Sequence, residues 1–270
     1  MDLSDTDPYI DPATGILRNL IGAETRDALS TAEGDLVFAR LVQLTERPPA
    51  GTGDLAELQA IHRQLFQDVF DWAGELRTVD IRKREEGAEP FLPVQMIERA
   101  AAFAARELHA DNNLRNMHLD LFIERLAYHY DAFNYIHPFR EGNGRTQRVM
   151  WNRIALEAGW QLDWQRVQGP TNDAACRAAA EDQDFGPLRA MFRQIVTPAA
   201  PERGRDDAWR TAELERLSLG PAAPEPPKEE GDREQTRQKI RGRIITDVAA
   251  ANPPGRQRPD GRPTERGRGR

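Results

Sequence analysis

Cysteine is nearly missing from this chain. Among 270 residues Cys176 is the one thiol, which excludes an internal disulfide and any zinc site built on cysteine pairs. A reducing cytosol suits such a chain, and a cytoplasmic location is expected. Cys176 lies in the alanine-rich "NDAACRAAAED", where a small packing residue is wanted rather than a nucleophile. Long apolar runs are missing too. Nothing approaches the ~20 residues that span a bilayer, and the opening "MDLSDTDPYIDP" is acidic and turn-rich, unlike a secretory signal. Positive charge is scarce in the first three-quarters. Residues 1–202 carry 21 Lys and Arg against 32 Asp and Glu, net −11. An acidic body of that kind is a poor general binder of nucleic acid. Internal repeats are also absent.

What is present is helical spacing. Residues 1–15 read as an extended arm broken by Pro8 and Pro12. Leu20 to Leu44 repeats at helical intervals, with Leu29, Leu36, Val37, Leu41 and Leu44 as core positions. Asp54 is a good N-cap for "LAELQAIHRQLFQDVFDWAG", a helix expected to run to Gly74. "RTVDIRKREEGAEPFLPV" alternates instead, turns near Glu86 and Gly87, and predicts a short β-hairpin over Thr78–Pro93. "QMIERAAAFAARELHA" returns to helix. "HLDLFIERLAYHYDAFNYI" is the most apolar helix and belongs at the centre of a bundle. "RTQRVMWNRIALEAG" follows, with Gly159 just past its end, and "TNDAACRAAAEDQDFGPLRAMFRQIV" supplies one or two more helices. The expected body, residues 16–197, is therefore all-α, a helical bundle with one β-hairpin.

From residue 198 the character changes. Proline, glycine and charge dominate, and residues 203–270 carry 16 basic against 12 acidic groups, net +4. Such a segment buries too little apolar surface to offset ordering entropy and is expected to be disordered. One weak helix over 233–250 is the exception.

Chemistry concentrates in one stretch, "IHPFREGNGRTQR", Ile136 to Arg148. Gly142 and Gly144 free the backbone for φ > 0 and Asn143 tolerates it, so consecutive amides can turn inward as an anion-binding nest. The next helix begins near Arg145, and its N-terminal dipole points at the same place. Arg145 and Arg148, three apart, can fork onto further phosphate oxygens. Glu141 beside a polyphosphate is suited to hold Mg²⁺. His137 has the pKa range of a general base near neutrality, and Phe139 would pin the loop to the core. Singly, each of these residues has a blander use: a helix cap, a turn, a solvated charge. In order, within one loop, they point to a nucleotide and a proton transfer.

The stretch fills every position of His-x-Phe-x-(Asp/Glu)-Gly-Asn-Gly-Arg-x-x-Arg, the signature of Fic-domain proteins. "DPYIDPATG", "NLIG" and "IHRQLFQDVFDWAGELRTVDI" extend the resemblance toward the bacterial toxin branch, over Asp7 to Val196. The resemblance implies a Fic fold and a protein adenylyltransferase, which moves AMP from ATP to a Tyr, Ser or Thr hydroxyl of a target protein. It implies that His137 is the base, that Glu141 holds Mg²⁺, and that Gly142, Asn143 and Gly144 form the anion hole. Arg145 and Arg148 would bind the outer phosphates. The hairpin would be the family's flap, with Thr78, Val79, Asp80 and Ile81 pairing with a target strand by β-augmentation. DNA gyrase and topoisomerase IV ATPase subunits are the targets of the branch it resembles. Transfer of UMP, phosphate or phosphocholine, and a non-catalytic nucleotide-binding adaptor, are the alternatives. Gly144 argues against phosphate transfer, for which the superfamily uses Lys there, and the intact His137 argues against a mere binder.

Family members are often silenced by a glutamate in the pattern (Ser/Thr)-x-x-x-Glu-(Gly/Asn) that pairs with the second arginine, here Arg148. No Glu-Gly of this chain has it. The nearest is "ALSTAEGD", where Ser30 stands three rather than four before Glu33. A separate small antitoxin is therefore expected to supply the inhibitory glutamate. The end of the tail, Arg258 followed by Arg266, Arg268 and Arg270, resembles the C-terminal transport signal R-x7-R-x-R-x-R of type IV secretion substrates. That implies delivery into a recipient cell through a secretion coupling machinery; a solvated basic tail is the plainer reading.

Overall fold

The fold is arranged around helix α4, Leu119–Ile136. In this computed structural model, which describes residues 7–82 and 90–199, α4 buries Phe122, Ile123, Leu126, Ala127, Tyr130, Phe133 and Ile136. Those positions span about half of its circumference, and of the rest only Asp120, Leu121 and Glu124 are exposed, so it has to be enclosed. Helices α3 (Ile97–Ala110), α5 (Asn143–Glu157), α6 (Gly169–Asp182) and α7 (Gly186–Ile195) surround it. Phe122, Leu126, Phe133, Met150, Trp151, Ile154 and Phe192 are fully buried where these helices meet, each contributing about 1.5–3 kcal/mol of transfer free energy. Helices α1 (Arg26–Glu46) and α2 (Leu55–Phe66) pack together, and α2 lies against α5. The chain is a mostly helical bundle, as expected, and α6 and α7 are separate helices.

Several boundaries differ from the sequence reading. Helix α1 begins at Arg26, not Leu20, because the Thr25 hydroxyl caps it by accepting from Ala28 N–H at 3.3 Å. Leu20 is left 58% exposed. Helix α2 starts on Asp54 as expected but stops at Phe66. The residues after it turn back on themselves yet bury Val69, Phe70, Trp72 and Ala73. Gly74 ends that turn at φ +83°, where a Cβ would stand 2.7 Å from the Arg63 Cβ. Asn143 and Gly144, expected to adopt positive φ, lie inside α5; Gly142 alone of the three is left-handed. A two-stranded antiparallel ribbon, β1 (Trp160–Leu162) with β2 (Val196–Pro198), went unforeseen. It ties the end of α7 to the turn after α5.

The arm is not loose. An antiparallel bridge joins Ile10 and Leu17, and Tyr9, Ile16 and Leu17 are buried. Tyr9 meets Trp72 edge to face at 5.2 Å, so the packed body starts before residue 16 and continues through β2. In the expected hairpin, Phe91 N–H donates to the Ile81 carbonyl at 3.0 Å and Arg82 bridges Pro90. Its turn, the weak helix over 233–250 and the four tail arginines lie outside the described residues. Among the described residues no helix is long and apolar enough to cross a membrane.

Candidate active site

Helix α4 delivers His137 as its C-cap. The residue is left-handed, φ 44° and ψ 63°, a conformation costing a non-glycine residue roughly 1–2 kcal/mol. Three contacts offset that cost. The His137 ring stacks on Phe91 with centroids 3.6 Å apart and planes 12° apart. The His137 carbonyl accepts from Arg77 Nε at 2.8 Å. Its Nδ1 lies 3.1 Å from the Asn134 carbonyl oxygen. A carbonyl can only accept, so Nδ1 carries the proton and the lone pair of the neutral ring lies on Nε2, the tautomer a base requires.

The loop then crosses to α5 under tight control. Phe139 is 1% exposed, in the anchoring position expected of it. The Asn143 side chain braces the loop from within: Oδ1 accepts from Phe139 N–H at 2.9 Å and Nδ2 donates to the Phe139 carbonyl at 2.7 Å. Gly142 is left-handed at φ +79°, and a Cβ there would fall 2.4 Å from Phe66. Both the torsion and the space demand glycine. Gly144 is different. It is exposed, helical, and a Cβ there would meet nothing within 4 Å.

Because α5 already begins at Asn143, the amides expected to bind an anion belong to a helical first turn rather than to a nest. The first N–H groups of a helix have no intrahelical acceptor, and the cap, Gly142, offers no side-chain oxygen. The positive end of α5 therefore points out beside His137. Glu141 flanks it, its Oε1 accepting from Gly142 N–H at 3.1 Å. Among the described residues no three His, Cys, Asp or Glu side chains cluster to hold a metal. One carboxylate, completed by phosphate oxygens and waters, is a donor set that suits Mg²⁺, so these residues fit a nucleotide-borne ion.

The two arginines diverge. Arg145 donates to the Glu33 carboxylate and lies over the Phe66 ring, 4.6 Å from its centroid. Its side chain is 11% exposed. Glu33 comes from α1 and is itself buried. Burial pushes its carboxyl above the usual range, Arg145 opposes the rise, and nearby Glu141 adds to it. So the chain lacks the inhibitory sequence pattern, yet its nearest approach to that pattern sits on an arginine of the signature, the first and not the second. Arg148 lies over Trp164, 5.3 Å from the centroid.

Sequence reasoning missed the residues that hold the loop from outside. His62, fully buried in α2, accepts from Gly74 N–H at Nδ1 (2.7 Å) and donates from Nε2 to the Glu141 carbonyl (3.0 Å). It stacks on Phe139 at 4.0 Å. Burial drives its pKa down to about 3, so it is neutral. A histidine on the apolar face of α2 was the one available signal. Arg77 is 1% exposed and donates to main-chain carbonyls on both sides of the site. Asp7 bonds Arg140 Nε at 2.8 Å, and the Tyr9 hydroxyl accepts from Thr78 N–H at 3.1 Å, so the arm touches both loop and flap. In the flap, Val79 and Ile81 turn their carbonyls inward to Arg77 and Phe91, and Asp80 accepts from Val94 N–H at 2.8 Å.

The Fic/DOC family model matches residues 52–155. The probable protein adenylyltransferase Fic of Escherichia coli K12 is 35% identical over 193 residues, 72% of this chain and 94% of that protein. The protein adenylyltransferase VbhT of Bartonella schoenbuchensis is 38% identical over 162 residues, 60% of this chain and 33% of that protein. Among solved structures, the VirB-translocated effector BepC of Bartonella tribocorum with bound AMPPNP superposes with a TM-score of 0.66 at 27% identity, covering 71% of this chain and 97% of BepC.

Proposed function

Because the chain belongs to the Fic/DOC family, we propose that it transfers AMP from ATP to a side-chain hydroxyl of a target protein. The observation that carries this is the pairing of His137, protonated at Nδ1 by its bond to Asn134, with the uncapped first turn of α5. Nε2 takes the proton of a target Tyr, Ser or Thr hydroxyl as its oxygen attacks the α-phosphorus, and pyrophosphate leaves. The amides of Asn143, Gly144 and Arg145 receive phosphate oxygens. Arg145 and Arg148 neutralise the outer phosphates. Glu141 would hold Mg²⁺, which supplies charge neutralisation on the polyphosphate. Room around Gly144 favours close approach of the nucleotide and supports AMP over phosphate transfer. AMPPNP bound to BepC supports ATP as the donor.

The target docks by adding a strand to the flap. Thr78 N–H is engaged by Tyr9, and the carbonyls of Val79 and Ile81 face inward. The outward edge at Asp80 and Arg82 is therefore the docking edge. A gyrase or topoisomerase IV subunit is the target class, and a small antitoxin supplies a glutamate against Arg148. Arg258, Arg266, Arg268 and Arg270 direct type IV export, in keeping with the VirB-translocated description of BepC.

The test incubates purified protein with Mg²⁺, a bacterial lysate, and α- or γ-labelled ATP in parallel. A protein band labelled only from α-labelled ATP, and absent with His137→Ala, is the expected result. Label only from γ-labelled ATP would replace AMP transfer with phosphate transfer. Loss of transfer into recipient cells on deleting residues 258–270, with labelling intact, tests the export signal.

A further inference from the structure

A guanidinium buried without a bonded carboxylate is costly unless every donor is used. The Arg77 side chain is 0% exposed, and its nearest acid, Asp80, is 3.7 Å away and 62% exposed. Its bonds go to carbonyl oxygens of two separate parts of the molecule. Toward the flap, NH1 donates to Val79 O at 2.9 Å and NH2 to Leu92 O, one on each side of the hairpin. Toward the site, Nε donates to His137 O at 2.8 Å and NH2 reaches Ile136 O at 3.4 Å. Its own main-chain N–H donates to Pro138 O at 2.9 Å. The same flap segment stacks Phe91 on the His137 ring and bonds Leu92 N–H to Tyr135 O at 3.1 Å.

We propose that Arg77 is a positioning residue that, with Phe91, makes the orientation of the His137 imidazole depend on the flap. The left-handed turn at His137 aims the ring. Arg77 fixes the carbonyls of that turn and ties them to both flap strands, and Phe91 fixes the ring plane. A target strand that engages the flap thereby sets the base it is about to use. Arginine is required because its planar fork spans four carbonyls, which a lysine ammonium cannot do from one point. This inference rests on His137 acting as the base.

The test compares wild type, Arg77→Lys and Phe91→Leu. Three measurements are made: label transfer from α-labelled ATP to lysate protein, AMPPNP affinity by calorimetry, and the His137 ring resonances by NMR. Both variants should lose about ten- to a hundredfold in transfer, keep AMPPNP affinity within about twofold, and shift the His137 resonances. Wild-type transfer with unmoved resonances in both would overturn the proposal. So would a loss of AMPPNP binding that parallels the loss of transfer, since that marks collapse of the nucleotide site. Should Arg77→Lys not fold, Phe91→Leu decides alone, because Phe91 is only half-buried. If wild type itself labels nothing, the adenylyltransferase reading fails, while the resonances still report on Arg77 and Phe91.

Discussion

Two walls hold the segment from His137 to Arg148, and they are built from different chemistry. On the side of α2 and the flap, a neutral His62 and the buried Arg77 bond main-chain groups of the loop. On the side of α1, Glu33 and Arg145 form an ion pair. A carbonyl oxygen belongs to the fold and has no rival in a ligand. A carboxylate does have one, because a phosphate oxygen offers the same guanidinium the same kind of bond. The first wall is fixed and sets geometry. The second is exchangeable and sets what an arriving anion must displace.

Five substitutions test the contrast. His137→Ala removes the proposed base, which the fixed wall holds in place. Transfer should fall at least ~100-fold with AMPPNP affinity kept, measured by labelling and calorimetry, while the melting temperature drops modestly because both ring contacts that offset the left-handed turn are lost. Gly142→Ala drives a methyl into Phe66 at a left-handed position. It should cost about 2 kcal/mol or more in urea denaturation, whereas Gly144→Ala, in a helix with nothing nearby, should not destabilise at all and should weaken AMPPNP binding instead.

His62 tests the fixed wall by pH. Unfolded, it takes a proton near its ordinary 6.5; folded, not until about 3. Below 6.5 the unfolded chain binds a proton the folded chain refuses. Stability present above 6.5 is therefore lost as pH falls toward 3, by up to ~1.4 kcal/mol per pH unit. His62→Gln should flatten that part of the urea-midpoint profile. Glu33→Gln tests the exchangeable wall. Removing its charge should raise AMPPNP affinity roughly threefold, more at low salt than at high. Unchanged affinity at both salt concentrations would mean that the nucleotide never contends with Glu33.

What the sequence made legible was contiguous. Helix periodicity located α3, α4 and α5 because each carries its own apolar face, and Asp54 announced α2. The loop was readable because His137, Phe139, Glu141 and Gly142 stand within six residues, and Phe139 is the buried anchor its position suggested. The walls were not readable. Arg77 is 60 positions from His137 and Glu33 is 112 from Arg145, and no local pattern links them. The ribbon of β1 and β2 was hidden for the same reason, since three-residue strands carry too little alternation to stand out. The onset of α1 was misplaced because apolar residues continue upstream of Thr25, where the helix actually begins.

The contact between Arg148 and Trp164 has an optical consequence. The indole stands 5.3 Å beneath the guanidinium and is pinned by its N–H to Asn152 at 2.7 Å. Its emission responds to the charge above it, so an anion that draws Arg148 away should change the intrinsic fluorescence of the unlabelled protein. Anion binding at Arg148 can thus be followed in a cuvette, in real time, without a radioactive or chemical tag.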